Sequence, residues 1–308
     1  MPSKKTHGKP KIFPKMPGIV TGAPPLEITW HAAQMRLDNL EPFDARPYLI
    51  QERDDLIRLL SGLTAEEWQA QTAASNWDVK AIALHLLDDD LGWLSRHRDG
   101  DMSGRRAVED YGSFVDALNA KNQRWVDGAR GLSPRVIIDL LVWSGQEMNQ
   151  WWATIDPTSK GRVIWASNGE VPQWFDIAQD LTERWVHQMQ IREAVARVEE
   201  YSSTYLPIVL KTFVWAIPHQ YRVPAPVGTS INIDLGLKES WHLQSIDESG
   251  LWELQANPAA APAATLKAEP DAAWRMLTGA LYDPQAIELD GEDPALTHAL
   301  LNVRGIIA

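Results

Sequence analysis

Asn76-Trp77-Asp78-Val79-Lys80-Ala81-Ile82-Ala83-Leu84-His85-Leu86 and Thr182-Glu183-Arg184-Trp185-Val186-His187-Gln188-Met189-Gln190-Ile191-Arg192-Glu193-Ala194 both read as helical, and between them they carry three metal-capable side chains. Glu183 and His187 are four residues apart, which on a helix places them on one face, one turn above the other. A carboxylate oxygen and an imidazole nitrogen then converge on one point, and His85 on a facing helix offers a third ligand. Two histidines and one carboxylate leave coordination positions open, which suits a catalytic Zn²⁺ or similar divalent ion better than a closed structural site. The spacing has a blander reading as well. Glu-x-x-x-His pairs arise often by chance, and a lone histidine in an apolar helix is commonly a core residue.

The apolar pattern around these segments is helical from Asp44 to Arg222. Pro47, Leu49, Ile50, Leu56, Ile57, Leu59 and Leu60 mark a first amphipathic helix that stops near Ser61-Gly62, where glycine supplies the break. Thr64-Ala65-Glu66-Glu67 reads as a capping box. A second helix starts near Asp78 and runs toward Arg98 on a stripe of Val79, Ile82, Leu86, Trp93 and Leu94, with His85 at its edge and Asp89 one turn on. A third runs from about Val108 to Ala129, and Ser133-Pro134 opens a fourth through Trp151. Pro157 and Gly161 close that segment, and Gly169 to Pro172 read as the loop before a helix over Trp174 to Val198. Along that helix Trp174, Ile177, Leu181 and Trp185 form one apolar line, and Glu183, His187, Gln190 and Ala194 a second. Facing solvent, the second line is plain surface. Facing the interior, a buried Glu/His pair requires partners, and a metal ion is the economical one.

After Arg222 the period changes. Val223-Pro224-Ala225-Pro226-Val227-Gly228 reads as a linker. Strand-like alternation follows over Ser230–Leu235, Ser240–Ser245, Leu251–Gln255, Ala264–Ala268 and Ile287–Gly291, with helices opened by Pro270-Asp271 and Asp293-Pro294. The expected organisation is a basic N-terminal arm over residues 1–25, a helical metal-binding domain over 26–222 and a small α+β domain over 223–308. The fold class is thus mainly α followed by α+β.

Composition bounds the function. Within 308 residues there are no cysteines, so Cys-ligated zinc, disulfides and a Cys nucleophile are all excluded, and any thiol chemistry must use a thiol from outside. A formal charge of -12 disfavours attraction to nucleic acid and to anionic membrane surfaces. No apolar run approaches the roughly 20 residues that span a bilayer, and Lys4, Lys5, Lys9, Lys11 and Lys15 are followed by no apolar signal segment. A cytoplasmic protein is expected. Fifteen tryptophans stand against five phenylalanines. Trp143, Trp151, Trp152, Trp174, Trp185 and Trp215 are expected to fill space between helices, with one or two tryptophans lining a substrate cavity.

Several phrases in order resemble one known family. Leu63-Thr64-Ala65-Glu66-Glu67-Trp68, Thr72, Trp77-x-Val79 and His85-Leu86 are similar to the N-terminal signature of the mycothiol-dependent maleylpyruvate isomerase family, a branch of the DinB-like four-helix metalloproteins. Glu183-x-x-x-His187 with Ile191-Arg192-x-Ala194 resembles that family's second metal motif. Ala264-Thr265-Leu266, Trp274, Gly279 and Leu289-Asp290-Gly291-Glu292-Asp293-Pro294-Ala295-Leu296 resemble its sterol-carrier-like C-terminal domain. The likeness covers roughly residues 26 to 308, with no sharp motif between Gly100 and Gly169. It implies a DinB-like four-helix bundle, His85, Glu183 and His187 as ligands of Zn²⁺ or another divalent metal, and mycothiol or another low-molecular-weight thiol as cosubstrate. Two departures stand out: relatives often carry Gly and Asp where this chain has Gln188 and Gln190, and a Cys/Pro turn where it has Ala73-Ala74-Ser75-Asn76. The missing acid removes a supporting partner for the metal ligands.

The reaction implied is cis-trans isomerisation of a small electrophile by reversible thiol addition, or S-transfer to it. Arg184 and Arg192 flank the motif and read as solvated or structural. A non-catalytic binding protein for a small apolar ligand, with the metal structural or absent, and a metal-dependent hydrolase are the alternatives. A cleft between the two domains is the default place for the site.

Overall fold

In a computed structural model of the chain, residues 42–74, 76–103, 111–163, 170–198 and 201–305 are described. The basic arm expected over residues 1–25 lies outside them, as do the expected start of the third helix at Val108 and the turn at Gly169. Helix α1 (Arg46–Ser61) begins with Pro47 in its first turn and ends at Gly62. The capping box is formed: Thr64 N donates to Glu67 Oε2 at 2.7 Å and Glu67 N to Thr64 Oγ1 at 3.2 Å. A loop then leads to α2 (Val79–Trp93), where the Asp78 side chain accepts from Ala81 N at 2.8 Å and caps the helix. Residues Leu94–Arg98 continue it as one wider π turn. Helices α3 (Tyr111–Ala129) and α4 (Pro134–Thr154) follow, the latter capped by Ser133.

The expected one-sided stripe understates α2. Ala83, Leu84, His85 and Leu87 are buried along with Val79, Ile82 and Leu86, because α2 packs against α3, α4 and α5 and is the central helix of this region. A helix apolar all round is buried all round. Between α4 and α5, where the sequence reads as turns and loop, two short strands pair antiparallel: β1 (Lys160–Val163) and β2 (Glu170–Pro172). Strands of four and three residues are too short to show a period of two.

Helix α5 (Gln173–Ala194) packs against α1 and α2 on one side and α6 (Ser202–Val214) on another. After the short α7 (Ile217–Gln220) come β3 (Ser230–Asp234), β4 (Trp241–Ser245), β5 (Trp252–Ala256), β6 (Ala264–Ala268), α8 (Pro270–Thr278), β7 (Ile287–Gly291) and α9 (Pro294–His298). The strands form one sheet in the order β5-β4-β3-β6-β7, with β3 and β6 parallel and the other pairs antiparallel. Ile231, Ile233, Leu243, Leu254 and Leu266 point to its buried face, as the alternation required. Gly279 ends α8 at φ 75°, and Ala280 N reaches back to Arg275 O at 2.9 Å. Only glycine takes that left-handed turn without strain.

One core surrounds α2, with Leu56, Leu60, Ile82, Leu84, Ile137 and Leu141. A larger one runs without a break from Trp185 and Met189 of α5 through Val209 and Phe213 of α6 into the sheet and α8. Trp185 meets Trp274 edge-on at 5.2 Å, and Glu193 of α5 pairs with Arg275 of α8. Trp185 lies two residues from His187, about 200° around the helix, so the sheet region packs on the α5 face turned away from Glu183 and His187. Of the six tryptophans expected inside, Trp152, Trp174, Trp185 and Trp215 are buried and Trp151 half-buried. Trp143 is 45% exposed, because α4 turns Ile137, Leu141, Ser144, Met148 and Trp152 inward and leaves Trp143 off that stripe. Ile50, counted in the α1 stripe, is likewise exposed. Among the described residues no helix is long and apolar enough to cross a membrane.

Candidate metal centre

The three candidate ligands meet between α2 and α5. His85 Nε2 lies 3.6 Å from Glu183 Oε1, and His187 Nε2 lies 3.3 Å from the same oxygen. One ligand atom from each of the three falls within 4.8 Å of the others. His85 and His187 are buried, their rings edge-to-face at 4.7 Å, and Glu183 is half-buried. The three side chains thus converge inside the helical region, with Glu183 and His187 on the second of the two lines read along α5.

These separations fit a shared cation. Hydrogen bonds from nitrogen to oxygen close to about 2.9–3.0 Å. Two ligands held roughly 2.0–2.1 Å from a tetrahedral ion stand about 3.3–3.4 Å apart. The electrostatics point the same way. Burial disfavours a charged His85, yet the Asp89 and Glu183 carboxylates raise its pKa above the usual imidazole value. Burial likewise works against an ionised Glu183, but the His187 and His85 imidazoles beside it hold its carboxyl at about 2. Positive charge is favoured at this point, and a divalent ion would supply it in place of a proton.

Local structure fixes the walls. The Trp77 carbonyl accepts from Thr72 N at 3.1 Å, Thr72 Oγ1 at 2.7 Å and Gln71 Nε2 at 2.9 Å. That loop sets the Trp77 ring over His85 at 4.9 Å and beside His187 at 6.4 Å, while Trp77 Nε1 donates to Gln123 Oε1 at 3.0 Å. A tryptophan lining the site was expected without a position. The Thr72…Trp77-x-Val79 phrase is the signal that finds it.

Gln190, which stands where an acid was expected, is not idle: His187 Nδ1 lies 2.9 Å from Gln190 Oε1. A carbonyl oxygen at that nitrogen holds the proton on Nδ1 and leaves the Nε2 lone pair facing Glu183. Gln188 points elsewhere, its Nε2 donating to Glu52 Oε1 at 2.7 Å and its Oε1 accepting from Arg192 Nε at 3.0 Å. Burial raises the pKa of Glu52 despite nearby Arg53 and Arg184.

Three consecutive aspartates on α2 fan out at about 100° per residue into three environments. Asp88 pairs with Lys121 of α3, and Asp89 Oδ2 lies 3.4 Å from His85 Nε2. Asp90 is fully buried, with Arg53 at 2.7 Å, Arg184 at 2.7 Å and the Ser144 hydroxyl in contact. Arg184 also reaches Asp180 at 2.8 Å. Despite burial, Arg184 and Arg53 hold the Asp90 carboxyl at about 2. Arg184 is thus structural, and it is buried where solvation was the other option. Arg192 is structural too, lying 4.2 Å over the Tyr201 ring.

Comparison with known proteins agrees with this architecture. The crystal structure of a mycothiol-dependent maleylpyruvate isomerase superposes on the chain with a TM-score of 0.50 at 13% identity, covering 81% of this chain and 94% of the other. A histidine-to-alanine mutant of that isomerase gives a TM-score of 0.51 at 12% identity with the same coverage. At such identities the likeness shows the fold, helical first and β-containing after. No curated protein sequence matches the chain significantly. The family model described as the mycothiol maleylpyruvate isomerase N-terminal domain matches residues 49–192, a span that contains His85, Glu183 and His187.

Proposed function

We propose that the chain is a metal-dependent enzyme that uses mycothiol or a similar small thiol to isomerise a small electrophile across a double bond. The observation that carries this reading is the convergence of His85, Glu183 and His187 within 4.8 Å, in a domain whose family is named for that chemistry. On this reading the three residues hold Zn²⁺ or another divalent ion, α1, α2, α4 and α5 are the DinB-like four-helix bundle of a domain over 26–222, and 223–308 is the sterol-carrier-like domain. The ion's contribution is to lower the pKa of a thiol it binds, so that a thiolate exists at neutral pH.

The chain's own groups do the rest. Glu183 and His187 present their donor atoms from one helix face, and His85 meets them from α2. Gln190 keeps the His187 proton on Nδ1. Trp77 covers the imidazoles on one side and excludes water there, while Glu183 remains open to the substrate side at 27% side-chain exposure. The thiolate adds to a cis alkene conjugated with a carbonyl, the new single bond rotates, and expulsion of the same thiolate restores the double bond as trans. The thiol is regenerated. In S-transfer the carbon–sulfur bond stays and the thiol is consumed.

The test is to follow a cis-configured, carbonyl-conjugated alkene diacid by proton NMR with metal-loaded protein, with and without mycothiol. Cis-to-trans conversion over many turnovers per thiol supports isomerisation. Loss of thiol equal to product moves the reading to S-transfer, thiol-independent hydrolysis of an ester substrate moves it to a hydrolase, and no turnover of any kind overturns it in favour of a binding protein. A second expectation concerns Gln190. Gln190→Ala should weaken metal binding by roughly 10–100-fold, the usual cost of losing a group that orients a ligating histidine, and Gln190→Asp should restore it. Calorimetric titration with Zn²⁺ reads both.

A further inference from the structure

We infer that Asp89 is a fourth protein ligand, so that the centre is a two-histidine, two-carboxylate site; this rests on the metal-binding reading above. The argument starts from one nitrogen. His85 Nε2 faces two carboxylate oxygens at once, Asp89 Oδ2 at 3.4 Å and Glu183 Oε1 at 3.6 Å. Both contacts are longer than ordinary hydrogen bonds and match the spacing of two ligands on one ion.

Both oxygens thus stand near ligand spacing from the same nitrogen, and one ion at Nε2 would lie within reach of each. Asp89 stands one turn after His85 on α2, which mirrors Glu183 standing one turn before His187 on α5. Each helix thus presents a carboxylate and an imidazole at a spacing of four, with Asp89 beside the three that converge and next to His85. The neighbours of Asp89 are committed elsewhere: Asp88 is held by Lys121, and Asp90 by Arg53 and Arg184.

Two carboxylates neutralise a dication where one leaves a net positive charge. They also move the preference from zinc toward harder ions such as Mn²⁺, and they leave fewer positions for thiol and substrate.

The test uses Co²⁺ as a probe of both affinity and coordination. Wild-type protein stripped of metal is titrated with Co²⁺ and its visible absorption recorded, alongside Asp89→Ala and Asp89→Asn. The expected result is a drop in Co²⁺ affinity of at least tenfold for Asp89→Ala and a change in the position or intensity of the visible bands. Asp89→Ala with the wild-type spectrum overturns the inference whatever its affinity, because a charge acting from a distance weakens binding without altering coordination. Wild type that takes up neither Co²⁺ nor Zn²⁺ overturns the metal-binding reading itself, which separates the two failures. Asp89 is partly exposed, and thermal unfolding of the metal-free variants checks that each is folded.

Discussion

His187→Ala is expected to lose its metal and its activity together. The substitution removes one of three donors and leaves the half-buried Glu183 with a single imidazole partner, so affinity should fall by more than the ~100-fold that a lost supporting residue costs. Elemental mass spectrometry on protein purified without a metal-affinity tag reads this directly. Wild type should carry close to one divalent ion per chain, and His187→Ala and His85→Ala none. Because His85 on α2 and the Glu183/His187 pair on α5 lie more than ninety residues apart in the chain, equal loss in the two variants would tie α2 and α5 to one ion. Retention of metal in either would show that the ion sits elsewhere. Thiol-dependent turnover should disappear in the same two proteins, and turnover that survived unchanged would sink the catalytic reading.

The second large effect is on stability. Asp90→Ala should destabilise the protein by about 3–5 kcal/mol, because removing one partner of a buried ion pair strands the other without water or counter-charge. Here the stranded groups are Arg53, which keeps a hydrogen bond to Leu141 O at 2.9 Å, and Arg184, which keeps Asp180, both with Glu52 nearby. Total stabilities of about 5–15 kcal/mol make that a large fraction. Urea denaturation of the variant reads it, and Asp90→Leu combined with Arg53→Met should recover part of the loss. A wild-type midpoint in Asp90→Ala would mean that the network carries no stability. The pH dependence has a definite sign. Asp90 is held at about 2 in the folded chain, below the usual value near 3.9 in an unfolded one. Its contribution is therefore present above about pH 4 and is lost as pH falls through 2. Wild type should lose stability over that window more steeply than Asp90→Ala.

What the sequence made legible divides along physical lines. The strands β3 to β7 and helices α8 and α9 announce themselves because each has one wet face and one dry one, and alternation records the difference. Helix α2 was recognisable as a helix but not as the central one, since a stripe drawn through Val79, Ile82 and Leu86 does not say that Ala83, Leu84 and Leu87 are also covered. The hairpin of β1 and β2 left no trace, being too short for any period. His85, Glu183 and His187 came from a resemblance of phrases, and the chain brings them together. The Gln190 departure looked like a loss and is a substitution of one acceptor for another. Least legible were the charges. Asp88-Asp89-Asp90 reads as a polar run, and Arg184 as a flanking residue. Only the packing reveals that a rotation of one residue separates an ion pair to α3, a group beside His85 and a fully buried one.

The Asp90 network also ties four helices to one another at fixed heights. Arg53 on α1, Asp90 on α2, Ser144 on α4 and Arg184 on α5 are locked to one another by contacts that involve no metal. A helix sliding past its neighbour by one turn would break them all, so the relative heights of α2 and α5, and with them the gap that His85 and His187 span, are set before any ion arrives. Small zinc domains that fold only on loading spend the ion's affinity on ordering the chain. On the metal-binding reading, little of an ion's affinity would be spent on ordering this chain, and removing the ion would leave the protein folded.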